Sequence, residues 1–524
     1  MSKNESNLSL SELKQSLIND LDNRVADRIL EPANRDLLKK LINNAENKTE
    51  AISIAELGTT YKRTGFHFDK KLEKQTDTIK YFKKNNKLSF VTDENRLTHK
   101  LIIGDNYDAL LNLSISYKGK IDVIYIDPPY GKDDLGDFAQ TNYDNAITRD
   151  NLLSMLYPRL VLAKELLTDE GVIFCSIDDK NHAYVKGLFD EIFGECNFIG
   201  SLVREKKYTV QNDTERFSDN HDYILSYAKN LDSADLGRLP RTEKMNSAYR
   251  NPDNDHRGPW KSTPLHAKSG ANSSPYLFPN GLSFVPPKGT YRRFNDQTML
   301  SMYENNEIWF GKNQDATPSR KTFLSDVIKN NKGTVIPTLI KYQIGGLNSE
   351  GTDDIKSIFD EAIVFKSPKP VKLLKLLINI GTSKNNSTIL DFFAGSGTTG
   401  HAVLELNKED GGNRTFILCT NNEVTKSNPN GIAYDVTSKR LKRVMTGECY
   451  DGSKDFKWNK DHQPLGDNLD VYEIDQVSNI NQTPGECAFD VIDETLYGID
   501  KLEPKEKIRF VCENFSVTQK TIEE

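Results

Sequence analysis

The tetrad Asp127-Pro128-Pro129-Tyr130 closes the apolar run KIDVIYI, which reads as a strand buried on both faces. Open sheets bring ligands to the carboxyl ends of their strands. The chemistry that suits these four residues is methylation of an exocyclic amine. An aromatic amino group is a weak nucleophile, because its lone pair is delocalised into the ring. The Asp127 carboxylate and the Pro128 carbonyl offer acceptors for its two hydrogens, which would localise that lone pair towards an incoming methyl. Pro128 and Pro129 stiffen the turn and fix the direction of the carbonyl. Tyr130 offers a face for stacking a base taken out of the helix. Taken alone, the same tetrad is also a proline turn that ends a strand.

A second constellation lies more than 250 residues downstream. Residues 387–406 read STILDFFAGSGTTGHAVLEL, a strand, a glycine turn and a helix. Gly395, Gly397 and Gly400 satisfy G-x-G-x-x-G in the strand–turn–helix context that the motif needs. Such glycines let the chain turn sharply and bring amide groups close to a nucleotide. The spacing fits a dinucleotide or an adenosyl cofactor. Beyond the next strand stands Glu423, at a distance suited to an acid that contacts a ribose hydroxyl.

These motifs need elements to hold them. Residues 1–99 read as a helical region: Ser9 and Glu12 form an S-x-x-E capping box, and leucines and isoleucines follow at helical spacing. Residues 100–230 alternate strand and helix, with strands at 101–103, 121–126 and 171–177 and helices at 107–113, 151–167 and 183–193. Residues 231–360 lose that regularity and are rich in Pro, Gly, Asn and Ser, with aromatic and basic residues interleaved. A domain inserted into the sheet accounts for them. Alternation resumes over 361–447, and 448–524 form a polar C-terminal region with short strand-like pieces. The expected fold class is α/β, a doubly wound Rossmann-like sheet with an insertion and a helical N-terminal region.

Composition narrows the function classes. The 524-residue chain has 69 Lys+Arg against 76 Asp+Glu, a formal charge of −7, which excludes a histone-like binder with a cationic surface throughout. It leaves room for a local basic patch. The six cysteines form no CxxC pair, so neither a disulfide scaffold nor a zinc ribbon is expected, and no metal site is assigned. No signal-peptide pattern opens the chain, and its most apolar long stretch is broken by Arg159, Lys164 and Glu165. A cytoplasmic protein without membrane association is expected. No P-loop is present, so ATP hydrolysis is not expected of this chain.

DPPY followed by DFFAGSGTTG resembles the DNA amino-methyltransferases in the permuted order called the β class. There the catalytic motif comes first, then the target recognition domain, then the cofactor motif. FKSPKPVKLLKLLI (365–378) is similar to the remaining cofactor motif of that family. GVIFCSIDDKNHAYVKGLFDEIFGECNFIG (171–200), SDNHDYILSYAKN (218–230), RGPWKSTPLHAKSG (257–270), PPKGTYRRF (286–294) and EIWFGKN (307–313) look like the modification subunits of type III restriction–modification systems. The DPPY form is more usual for adenine N6 than for cytosine N4 in such enzymes.

The resemblance implies an S-adenosylmethionine-dependent, adenine-N6 methyltransferase acting on double-stranded DNA. A homodimer and a separate helicase-nuclease restriction subunit are implied partners; a solitary β-class enzyme is the alternative. Carried over, it makes Asp127, Pro128, Pro129 and Tyr130 catalytic. Asp391, Phe393, Ala394, Gly395, Ser396 and Gly397 would line the cofactor site, with Asp105 near the cofactor adenine and Lys366 and Pro368 closing the other side. Glu423 departs from the family pattern, in which the ribose acid ends the second strand directly. Base readout falls to the inserted region, where Arg250, Arg257, Lys261, Arg292 and Arg293 are the leading candidates. Arg204, Lys206 and Lys207, past the catalytic half-sheet, are expected to hold phosphate.

Overall fold

A computed structural model describes residues 9–26, 30, 32–57, 78–130, 148–210, 217–239, 241–330, 333–360, 364–478, 483 and 485–515. The chain divides into two compact units, residues 1–69 and 70–524.

In the first unit, α1 (Leu10–Ala26), α2 (Pro32–Asn44) and α3 (Lys48–Leu57) pack through Leu21, Leu38, Ile42 and Ala55. The capping box forms: the Glu12 amide donates to Ser9 Oγ at 3.3 Å, and the Ser9 amide donates to Glu12 Oε2 at 2.7 Å. Each partner thereby satisfies a donor that the first helical turn leaves free.

The second unit is built on a ten-stranded mixed sheet. Its strands are β1 (Thr78–Lys84), β2 (Thr98–Ile103), β3 (Ile121–Ile126), β4 (Leu167–Ile177), β5 (Phe198–Glu205), β6 (His221–Ala228), β7 (Leu339–Ile340), β8 (Thr388–Asp391), β9 (Thr415–Thr420) and β10 (Asn468–Ser478). The spatial order is β1-β10-β2-β9-β8-β3-β4-β6-β5-β7. The six strands from β10 to β4 run parallel, while β1, β6 and β5 join antiparallel to their inner neighbours. Helices α4 (Asn106–Tyr117), α5 (Thr148–Leu166), α6 (Asp179–Phe193), α7 (Asn348–Ile358), α8 (Val371–Gly381), α9 (Thr398–Asp410) and α10 (Ser438–Thr446) accompany it. The central strands are apolar because both faces are covered: Val123, Ile124, Ile389, Leu390 and Leu418 are all fully buried. Each such side chain contributes about 1.5–3 kcal/mol by leaving water.

Several elements differ from the sequence reading, among them two segments of the main unit. Thr78–Lys84 is a strand, although the first hundred residues read as helical; it gains its ladder from β10, nearly 400 residues away, from Thr78 opposite Ser478 to Lys84 opposite Tyr472. Asn348–Ile358 is a helix and belongs to the main core through Ile355 and Ile358. Its sequence NSEGTDDIKSI is mostly polar, and Gly351 serves close packing there. A Cβ on Gly351 would stand 2.2 Å from the Pro368 carbonyl oxygen.

The inserted region has its own small core of Leu265, Phe278, Phe284, Met299, Met302, Ile308 and Phe310. It is made of short strands, among them a three-stranded sheet of Trp260–Thr263, Ser319–Phe323 and Ile308–Trp309. Among the described residues, no helix is long and apolar enough to cross a membrane.

Candidate active site

The permuted order loses its strangeness in space. β3 and β8 lie side by side and parallel, with Ile389 opposite Val123 and Leu390 opposite Ile124. From β8 the next strand in sequence lies on one side, and from β3 the next lies on the other. That reversal leaves a crevice at the strands' carboxyl ends, the place where α/β sheets bind ligands. A cleft of about 1100 Å³, open mouth included, fills it. Its walls bring together Asp105, Asp127, Pro129, Pro368, Asp391, Phe393, Ala394, Gly395, Ser396 and Glu423 from the sequence-derived set.

In the tetrad Asp127–Tyr130, Pro128 is buried and Tyr130 half-buried. The Tyr130 hydroxyl donates a short hydrogen bond to Asp127 Oδ1. Burial first, and then the Asp127 charge, push the Tyr130 phenol well above its ordinary range, so it stays a donor. Asn181, in the first turn of α6, donates from Nδ2 to the Tyr130 carbonyl at 2.9 Å and to Asp178 Oδ1 at 2.8 Å. The tetrad's backbone is thus tied to a neighbouring helix. Below it, the buried Tyr125 and Ser176 hydroxyls share a hydrogen bond of 2.9 Å.

Lys369 was not singled out in the sequence, yet it joins the tetrad. Its Nζ donates to Asp127 Oδ1 at 2.9 Å and to the Tyr130 hydroxyl at 3.0 Å. Lys366, three residues earlier in KSPKP, is exposed and does not line the cleft. The two lysines flank Pro368 almost symmetrically, and nothing in the spacing distinguishes them.

The glycine turn is shaped by conformation at two of its glycines. Gly395 sits at φ +49°, with a Cβ position 3.0 Å from the Phe365 ring, and Gly397 sits at φ +77° as the residue before α9. Both need the left-handed region that side chains disfavour. Thr437, in a π-turn at Ala433–Thr437, donates to the Gly395 carbonyl at 2.5 Å. The buried Arg440 reaches Thr398 Oγ1 at 2.8 Å and clamps the turn from behind. Burial lowers that guanidinium to about 10. Asp391 ends β8, accepting from the Phe393 amide at 3.0 Å and from the Thr399 hydroxyl. Burial outweighs both hydrogen bonds and pushes its carboxyl up to about 7.

Asp105 caps α4 by accepting from the Tyr107 amide at 2.7 Å, and it also faces the cleft. Arg159, fully buried on α5, holds it with two bonds of 3.0 and 3.2 Å. Asn106 donates to the Phe392 carbonyl at 2.8 Å, joining this corner to the glycine turn. Arg159 gave no signal in sequence beyond breaking an apolar helix.

The cations picked out for nucleic acid divide. Arg250, Lys261 and Arg293 are exposed. Arg257 is used internally: it pairs with Asp255 at 2.8 Å, donates to the carbonyls of Asn305 and Asn306, and stacks 4.2 Å from the Phe323 ring. Arg292 is buried and pairs with Asp296 at 2.6 Å. Lys321 is buried between Asp253 and Asp255. Arg204 is fully buried against Asp222 at 3.4 Å and the Gly346 carbonyl at 2.9 Å, and Lys206 pairs with Asp219 and Asp222. The expectation that Arg204 and Lys206 hold phosphate is therefore corrected. Their acids lie across the β5–β6 hairpin, out of sight of any local reading.

The family described as DNA methylase matches residues 121–428, more than half of the chain and both halves of the cleft. The chain belongs to that family. A second family, described as an uncharacterised conserved protein, matches residues 14–123. The chain is 32% identical to the Mod subunit of the type III restriction-modification enzyme StyLTI of Salmonella typhimurium, over 75% of this chain and 65% of that one. It is 31% identical to the EcoPI Mod subunit of Escherichia phage P1, over 67% of this chain and 63% of the other. It therefore spans just under two thirds of the length of these two relatives. It is also 30% identical to the type II methyltransferase M.KpnI of Klebsiella pneumoniae, over 69% of this chain and 89% of that protein.

Proposed function

We propose that this DNA methylase transfers a methyl group from S-adenosylmethionine to the N6 amine of adenine in double-stranded DNA. The observation that carries the reading is the pairing of β3 with β8, which sets Asp127 and the glycine turn on one cleft. The lining suits the cofactor. Phe365, Phe393 and Ile432 offer apolar walls for an adenine ring, and Asp105, Asp391 and Glu423 offer carboxylates for hydroxyl and ammonium donors. S-adenosylmethionine, when bound, supplies an electrophilic methyl on a sulfonium.

The rest is the work of this chain. Asp127 and the Pro128 carbonyl accept the two hydrogens of the target amine, and Tyr130 stacks on its ring. As the new C–N bond forms and the C–S bond breaks, the nitrogen sheds a proton, and Asp127 is the acceptor that touches it. No covalent bond to the protein is needed. The electrons of the broken C–S bond would stay on the donor's sulfur. Tritium transfer from labelled S-adenosylmethionine to adenine in duplex DNA tests this reading; label found on cytosine alone would refute it.

We further assign the chain to the modification and specificity role in a type III system, with the inserted region reading bases through Arg250, Lys261 and Arg293, and Arg257 and Arg292 shaping that surface. A homodimer, a separate helicase-nuclease subunit and a cytoplasmic location belong to this assignment. The likeness to two type III Mod subunits supports it. A solitary methyltransferase is the second reading; the match to M.KpnI, a type II methyltransferase, reaches 89% of that protein's length, more than the matches to the two Mod subunits. Co-purification of a helicase-nuclease from the native host separates the two.

A further inference from the structure

One oxygen of the carboxylate assigned to the target amine is held by a lysine side chain. Lys369 Nζ donates to Asp127 Oδ1, an oxygen of the carboxylate that the amine would need. The same ammonium lies 5.1 Å from the centroid of the Tyr130 ring, the ring proposed to stack on the base. That distance lies within cation–π range. Its side chain is only 10% exposed, so this is no surface pairing.

The backbone around Lys369 is held while its side chain is long and jointed. Ser367 sits at φ +50°, Pro368 is buried, and Pro370 caps α8. The carbonyl of Pro368 packs so tightly against Gly351 that a Cβ there would clash. The four-carbon stem of a lysine swings without moving the chain, and its ammonium is a point charge that binds without a fixed fork. Asp105 and Glu423 line the same cleft. A carboxylate left bare in such a place is costly, so a cation there when no base is present stabilises the resting site.

We propose that Lys369 is a positioning residue that stands in for the amino group of the target base, holding Asp127 until the flipped base displaces it. This rests on the methyltransferase reading above. A base without an exocyclic amine has no donor to offer Asp127, so it does not replace the ammonium. The stand-in thus sharpens discrimination at the expense of affinity.

The test follows once the recognition sequence has been read from methylated DNA. The probes are a duplex oligonucleotide carrying that sequence and the same duplex with 2-aminopurine at the target adenine. In K369M the competitor is gone: KM for the duplex falls about tenfold, the change in KM exceeds the change in kcat, and 2-aminopurine fluorescence in the complex rises. In K369R a guanidinium grips the carboxylate with two donors, so KM rises and the fluorescence falls. A K369M protein with normal melting but an unchanged or raised KM would overturn the proposal, as would loss of S-adenosylmethionine binding, which would assign Lys369 to the cofactor. Wild-type protein that transfers no methyl group at all would overturn the methyltransferase reading itself.

Discussion

The cleft between β3 and β8 and the inserted region around residues 250–323 are both rich in residues that invite a functional reading, and they treat those residues differently. In the cleft, Asp127, Asp391, Gly395 and Gly397 come to one crevice from segments more than 250 residues apart. In the inserted region, Arg257, Arg292 and Lys321 turn inward and pair with Asp255, Asp296 and Asp253, whereas Arg250, Lys261 and Arg293 stay exposed. The difference is one of constraint. Glycines and prolines in fixed order dictate a backbone path, and the path dictates where neighbouring side chains go. A lysine or arginine picked for its charge alone carries no such instruction.

Substitutions break this contrast at points of decreasing effect. Asp127→Ala removes the acceptor at the centre of the cleft, and methyl transfer measured by tritium incorporation should fall about 10³-fold with DNA binding largely kept; retention of more than a tenth of the rate would remove Asp127 from the chemistry. Arg257→Ala takes from the buried Asp255 carboxylate the partner whose hydrogen bond most lowers its pKa, and leaves it Lys321 at 3.1 Å. It should cost about 2–3 kcal/mol in urea unfolding. If stability held and only DNA affinity dropped, Arg257 would be a contact residue after all. Gly397→Ala forces a side chain into φ +77° beside Thr437; a loss of about 1–2 kcal/mol is expected, together with weaker S-adenosylmethionine binding by calorimetry. Lys261→Ala, by contrast, should leave unfolding unchanged and reduce the slope of log K against log salt by about 1.

A pH experiment sharpens the cleft side of the comparison. Burial holds the Asp391 carboxyl at about 7, above its ordinary value of 3.8. An acid whose folded pKa is raised binds its proton more tightly in the folded chain. Its ionisation therefore removes stability as pH climbs from about 4 to about 7, and the loss is complete above that window. In Asp391→Asn this fall of unfolding free energy between about pH 4 and about 7 should disappear, so the difference between wild type and variant carries it. An unchanged slope would mean that Asp391 is already ionised in the folded protein.

Much of the fold and site was legible for the same reason that the cleft is. Strands 121–126, 171–177 and 415–419 were readable because burial on both faces leaves an unbroken apolar run, and the glycine turn because only glycine reaches its dihedrals. What escaped depended on partners distant in sequence. TIKYFKK becomes a strand by pairing with β10, and Asn348–Ile358 becomes a helix against a core it does not advertise. Arg204 looked like a phosphate ligand because Asp222 lies across a hairpin. Lys369 was passed over because it shares the short run KSPKP with Lys366, and only the fold shows which ammonium reaches Asp127.

The central claim is that β3 and β8 together make one methyl-transfer site for adenine. Base-resolved sequencing of DNA from cells expressing the wild-type chain or its Asp127→Ala variant tests it most directly. N6-methyladenine is expected at a single recurring sequence in the first sample and none there in the second. Methylcytosine in place of methyladenine, or a modification pattern that survives Asp127→Ala, would contradict it.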